Sequence, residues 1–218
     1  MTFQDRVEAG MALGARLRQF FTGDAVLVLA LPRGGVPVGF EVARALGAPL
    51  DIFLVRKLGV PDQEELAMGA IASGGTRLLD EEVIQGLGIS PVQLEETTRR
   101  EERELARRER LYRRTGSGPD ISGQTIVLVD DGIATGWTMS AAIEALRNEG
   151  AREIVVAVPV AAAETCKELE RSADAVVCLY TPPQFFAVGQ WYRDFSQTTD
   201  EEVRDLLARS RRAHGMVA

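Results

Sequence analysis

Five near-continuous apolar runs constrain this chain more than any other feature: AVLVLAL at 25–31, DIFLV at 51–55, QTIVLV at 124–129, EIVVAVPV at 153–160 and AVVCLY at 175–180. None alternates apolar with polar, so each reads as a strand buried on both faces. Segments with helical spacing separate them. Residues 36–46 carry Pro37 in the first turn and Gly47 just past the end, the usual start and stop of a helix. Residues 138–149 end before Gly150, and 163–171 follow the fourth run. Strands alternating with amphipathic helices predict an α/β, Rossmann-like, mainly parallel sheet of about five strands with helices on both faces.

The remaining segments fit around that sheet. Gln4 to Phe21 places Val7, Met11, Leu13, Leu17 and Phe20 near helical spacing. RKLGVPDQEE at 56–65 reads as a polar loop, followed by short strands at 68–72 and 77–79. Ser90, Pro91 and Gln93 make a capping box for a long helix reaching about Arg114. Thr199 to Arg212 predicts a last helix. No repeat or long linker divides the 218 residues, so 1–218 reads as one domain.

Charge and composition remove several function classes. The net charge of −7 argues against a globally basic nucleic-acid binder. No apolar run approaches membrane-spanning length, and the N-terminus lacks a leader pattern. The only cysteines, Cys166 and Cys178, lack metal or redox spacing, and a reduced cytoplasmic setting fits them. A single histidine, His214 in a polar tail, leaves no candidate for Ser-His-Asp or Cys-His catalysis.

The stretch IVLVDDGIATGWTM, 126–139, carries the chemistry. Asp130 and Asp131 emerge at the carboxyl end of a buried strand, where open α/β sheets bind ligands. The turn 132–137 leads into a helix whose first N–H groups lack backbone partners and favour an anion. Thr135 and Thr138 add hydroxyl donors, and Gly136 permits close backbone approach. This turn is a cup for a phosphate. The aspartates repel that phosphate, so they serve paired hydroxyls or a hard cation instead. A ligand with both parts is a ribose 5-phosphate.

With its apolar strand, two acids and Thr-Gly-x-Thr turn, VLVDDGIATGWTM resembles the phosphoribosyl-pyrophosphate (PRPP) signature of the type I phosphoribosyltransferases. The resemblance implies that fold, with a small hood from the N- and C-terminal segments, here with an inserted charged helix at about 90–114. It also implies transfer of the phosphoribosyl group of PRPP to a nitrogenous base, purine-like here, with Mg²⁺ and release of pyrophosphate. Asp130 and Asp131 would meet the ribose hydroxyls and the metal, directly or through water. Ala134, Thr135, Gly136, Trp137 and Thr138 would seat the 5-phosphate.

The PRGG turn, 32–35, follows the first strand. By the same resemblance Arg33, Gly34 and Gly35 would hold the pyrophosphate, in a loop often built with a cis peptide. Arg56 and Lys57 would also meet it, with residues 58–66 closing over the site. Phe186 would stack on the base and Asp194 lie near the metal-bound pyrophosphate. Two positions depart from the family: hypoxanthine-guanine enzymes carry an aspartate where Ala134 stands, and Trp137 is larger than usual. The family is commonly dimeric. Residues 97–114 hold eight arginines against four glutamates; some family members are PRPP-sensing regulators that bind nucleic acid, which is the alternative expectation.

Overall fold

The computed structural model describes residues 2–21, 25–113 and 118–215. Strands β1 (Val26–Ala30), β2 (Leu50–Ile52), β6 (Thr125–Val129), β7 (Glu153–Val160) and β8 (Ala175–Tyr180) form one parallel sheet in the order β2-β1-β6-β7-β8. The inner strands β1, β6 and β7 are buried on both faces, because alternate side chains feed two separate cores, whereas the edge strand β8, which reads from the sequence as doubly buried, is mostly half-buried. Val26, Val28, Ala30, Val127 and Val129 pack beneath α1 (Arg6–Leu17), α2 (Gly35–Leu46) and α7 (Asp200–Ala213). Leu27, Leu29, Ile126 and Leu128 pack beneath α5 (Trp137–Asn148) and α6 (Ala163–Leu169).

Helix α1 begins at Arg6, where Asp5 accepts from the Glu8 N–H as N-cap, and ends earlier than the expected Phe21. Its Gly10 and Gly14 bring it close to α2: a Cβ on Gly14 would lie 2.6 Å from the Ala45 Cβ. Helix α4 (Pro91–Tyr112) carries the capping box read from the sequence. Arg114, its expected end, lies outside the described residues. A short helix α3 (Glu81–Gly86), capped by Asp80, had no sequence expectation.

One segment corrects the sequence reading. Residues 56–65 are not a loop. They form most of a hairpin between β3 (Val55–Val60) and β4 (Gln63–Ala72), and β5 (Arg77–Leu79) completes a three-stranded antiparallel sheet. Leu58 and Val60 are buried there, and the chain reverses at Pro61-Asp62, with Asp62 at φ 64°. The segment before α1 also meets the segment after β8. Phe3 pairs with Tyr192, the Phe3 N–H bonds the Trp191 carbonyl, and the Asp194 N–H bonds the Gln4 carbonyl. Among the described residues no helix is long and apolar enough to cross a membrane.

Candidate functional site

β1 and β6 lie side by side in register, Ala30 opposite Val129. From β1 the chain crosses to β2 on one flank, and β6 leads to β7 on the other. The order therefore reverses between them, and the crevice at their carboxyl ends is where such sheets bind ligands. Loop 31–34 leaves β1 there and runs into α2 at Gly35, and loop 130–136 leaves β6. The Leu31 N–H bonds the Val129 carbonyl at 2.9 Å, which ties the loops together at their roots.

The two glycines let the loops touch. A Cβ on Gly35 would lie 2.9 Å from both the Asp130 Cα and the Val129 carbonyl oxygen. One on Gly34 would lie 2.0 Å from Asp131 Oδ2. The Pro32–Arg33 peptide is cis. PRGG and the aspartates, distant in sequence, thus form one structure.

Both carboxylates are held. Asp130 Oδ1 accepts the Asp131 N–H at 2.8 Å. Burial pushes the Asp130 carboxyl well above the usual range, the Asp131 charge adds to this, and that N–H opposes it. Burial also raises Asp131, opposed by Arg6, whose Nε donates to Oδ2 at 2.8 Å. The Tyr192 hydroxyl donates to the Asp131 carbonyl at 2.5 Å; burial and the Asp131 charge keep this phenol protonated. Neither Arg6 nor Tyr192 was foreseen as a site residue.

Past the aspartates, Gly136 takes φ 77° as the residue before α5, and no side chain caps that helix start. A Cβ there would also lie 2.7 Å from the Thr165 Cγ2. Thr165 Oγ1 donates to the Ala134 carbonyl at 2.7 Å, so α6 fixes the turn from behind. Ala134, Thr135 and Thr138 are exposed. The turn presents open N–H groups and hydroxyls at a helix start, an arrangement suited to an anion. Trp137 points outward and is half exposed, lining a cleft of about 560 Å³ with Thr135, Leu78, Leu79, Glu144 and Glu168.

The other candidates scatter more widely. Arg33 NH1 lies 3.6 Å from Asp200 Oδ1, at the start of α7, and Asp200 also accepts the Tyr112 hydroxyl at 2.5 Å. Burial, then that hydrogen bond, push the Tyr112 phenol up to about 12, so it stays a donor. Arg56 sits on β3, and its Nε and NH2 both reach Glu101 Oε2, at 2.9 and 2.6 Å. Glu101 is buried on α4, so the charged helix anchors this arginine. Lys57 follows, exposed on the same strand. Phe186 is 78% exposed, while its neighbour Phe185 stacks on Trp191. Asp194 is fully exposed; the Ser196 N–H holds its carboxyl below the usual range, and it lines a small recess with Arg6, Ser196 and Thr198.

No group of three or more acidic, histidine or cysteine side chains able to hold a metal occurs among the described residues. Two adjacent carboxylates nonetheless fit Mg²⁺ chemistry. That ion keeps several waters and is commonly bound by one or two carboxylates together with substrate phosphates. Asp130 and Asp131 offer hard oxygens of that kind.

A family model described as phosphoribosyl transferase domain matches residues 6–194. A Mycobacterium tuberculosis (strain CDC 1551 / Oshkosh) protein, MT0597, whose name assigns it provisionally to the phosphoribosyl transferases, is 49% identical over 210 residues, 96% of this chain. The chain spans about half the length, 47%, of that relative. The crystal structure of TT1426 from Thermus thermophilus superposes with a TM-score of 0.84 at 42% identity, covering 96% of this chain and 99% of that one. The bifunctional protein PyrR of Chloroflexus aurantiacus (strain ATCC 29366 / DSM 635 / J-10-fl) is 34% identical over 121 residues, covering 54% of this chain and 60% of PyrR.

Proposed function

Since the chain belongs to the phosphoribosyl transferase domain family, we propose that it transfers the 5-phosphoribosyl group of PRPP to a nitrogenous base, purine-like in kind, and releases pyrophosphate. The observation that carries this reading is the contact of two loops at the sheet's reversal point, where Gly34 lies against the Asp131 carboxylate. One loop suits a diphosphate, the other a sugar phosphate, and they share one crevice.

In this reading the open N–H groups at the start of α5, with the Thr135 and Thr138 hydroxyls, take the 5-phosphate. Asp130 and Asp131 accept hydrogen bonds from the ribose hydroxyls and hold Mg²⁺, directly or through water. The ion, when bound, would neutralise charge growing on the leaving pyrophosphate. Arg33, Lys57 and the amides of Gly34 and Gly35 do the same from the protein side, and Arg56 borders that end. The C1–oxygen bond breaks as the base nitrogen's lone pair forms the C1–N bond. Pyrophosphate leaves with the bonding electrons, and the base's N–H proton goes to water. Phe186 covers the base and Asp194 borders the pyrophosphate. Catalysis of this kind is mainly positioning and electrostatics.

The test is incubation of the full chain with PRPP, Mg²⁺ and a panel of purine and pyrimidine bases, reading pyrophosphate release and nucleotide mass. A base-dependent nucleotide product supports transfer. A rival role as a PRPP-sensing nucleic-acid binder draws on α4, which exposes Arg99, Arg103 and Arg110 along one side. Salt-sensitive RNA or DNA binding without pyrophosphate release would favour it.

Asp200 provides a further check. It pairs with Arg33 across 3.6 Å on a part-exposed surface, and exposed pairs contribute roughly 1 kcal/mol or less. Asp200→Asn releases Arg33 for the pyrophosphate and should tighten PRPP binding by up to about fivefold. Unchanged or weakened affinity in a calorimetric titration would show that Asp200 does not compete for Arg33.

A further inference from the structure

Arg6 is the first residue of α1, and no motif points to it. Its side chain is only 12% exposed, as is fitting for a cation with several partners. Nε donates to Asp131 Oδ2 at 2.8 Å and NH1 to the Ser196 carbonyl at 2.7 Å. The guanidinium carbon lies 4.0 Å from the centre of the Phe195 ring. Gly34 closes the remaining side: a Cβ there would come within 3.4 Å of Arg6 Nε. An N-terminal helix, a C-terminal segment and the pyrophosphate loop thus converge on one guanidinium held against one carboxylate.

We infer that Arg6 is a positioning residue of the sugar-phosphate seat: it fixes the Asp131 carboxylate and neutralises its charge toward an incoming polyanion. The inference rests on the phosphoribosyl reading above. Two neighbouring carboxylates alone would repel a ligand bearing three phosphate groups. Arg6 sets a positive charge directly against Asp131, while Asp130 accepts the Asp131 N–H, so the pair presents less negative charge to the ligand. Arg6 engages the carboxylate through Oδ2, and in the phosphoribosyl reading Oδ1 takes a ribose hydroxyl. Removing the guanidinium would free the carboxylate to rotate and restore the repulsion.

A purely mechanical role makes a different prediction, because Arg6 also pins α1 to residues 195–196. Arg6→Lys keeps the charge but loses the planar fork, whereas Arg6→Gln keeps a hydrogen-bond donor and loses the charge. The experiment is calorimetric titration of PRPP with Mg²⁺ into the wild-type, Arg6→Lys and Arg6→Gln chains, well below each chain's measured unfolding temperature. Charge-assisted hydrogen bonds are about twice as strong as neutral ones, so Arg6→Gln should weaken binding about tenfold or more and Arg6→Lys by less than about threefold. Wild-type affinity in Arg6→Gln would overturn the inference. Equal losses in the two variants would also overturn it, since they would mark Arg6 as a pin. A wild-type chain that takes up no PRPP overturns the parent reading and this role together. Wild-type binding with an unaffected Arg6→Gln overturns this role alone.

Discussion

Asp131→Asn is expected to weaken PRPP binding and any transferase rate about a hundredfold or more, while the chain keeps its fold. Losing one well-placed polar group of this kind typically costs roughly 3 kcal/mol at the reacting centre. Asparagine presents one acceptor oxygen instead of two, and Arg6 already claims an oxygen of Asp131 at 2.8 Å. The ribose hydroxyls and the metal would then face an amide N–H₂, a donor where an acceptor is needed. The strand beneath is insulated from the change: Ile126, Val127, Leu128 and Val129 are fully buried, and asparagine has nearly the same volume. The unfolding temperature should therefore move by only a few degrees. An asparagine variant binding PRPP as the wild type does would contradict the role assigned to this carboxylate.

Gly34→Ala should produce a comparable functional loss by a different route. Gly34 has φ −60° and ψ −34°, ordinary angles for alanine, so the backbone itself suffers no strain. The added methyl instead meets Asp131, 2.0 Å from Oδ2 and 2.7 Å from Cγ. One of them must move, and the displaced carboxylate loses its bond to Arg6. Overpacking of this sort costs about 1–3 kcal/mol of stability, and PRPP affinity should fall at least about tenfold because the seat itself is what shifts. Gly86→Ala is the matched control: it lies in α3, with nothing within 4 Å of an added Cβ. That variant should leave affinity unchanged. Thermal unfolding and PRPP titration of both variants check the pair, and unaltered PRPP affinity in Gly34→Ala would mean that its loop is not part of the seat.

The sheet was legible because its evidence is local. AVLVLAL and QTIVLV can hardly be anything but doubly buried strands, and both are. The aspartate pair, the Gly136 turn and the following helix could be read because they are contiguous. The strand at 68–72 is legible, but residues 56–65 read as a loop for an equally local reason. Gly59, Pro61 and Asp62 are turn residues set among charges, and they outweigh the Leu58 and Val60 side chains that the strand buries. Arg6 and Asp131 are 125 residues apart, and Tyr192 reaches the Asp131 carbonyl across 61. Pairings over such separations leave no periodicity to read. Arg56 was visible as a basic residue, but its attachment to Glu101 on α4 was not, since only the folded helix brings that carboxylate to it.

A crystal of the full chain soaked with PRPP and Mg²⁺ tests the central claim most directly. The 5-phosphate is expected on the turn 134–138, the ribose hydroxyls on the carboxylates of Asp130 and Asp131, and the diphosphate against residues 33–35. PRPP bound elsewhere, for instance in the cleft beside Trp137 with the aspartates untouched, would contradict it.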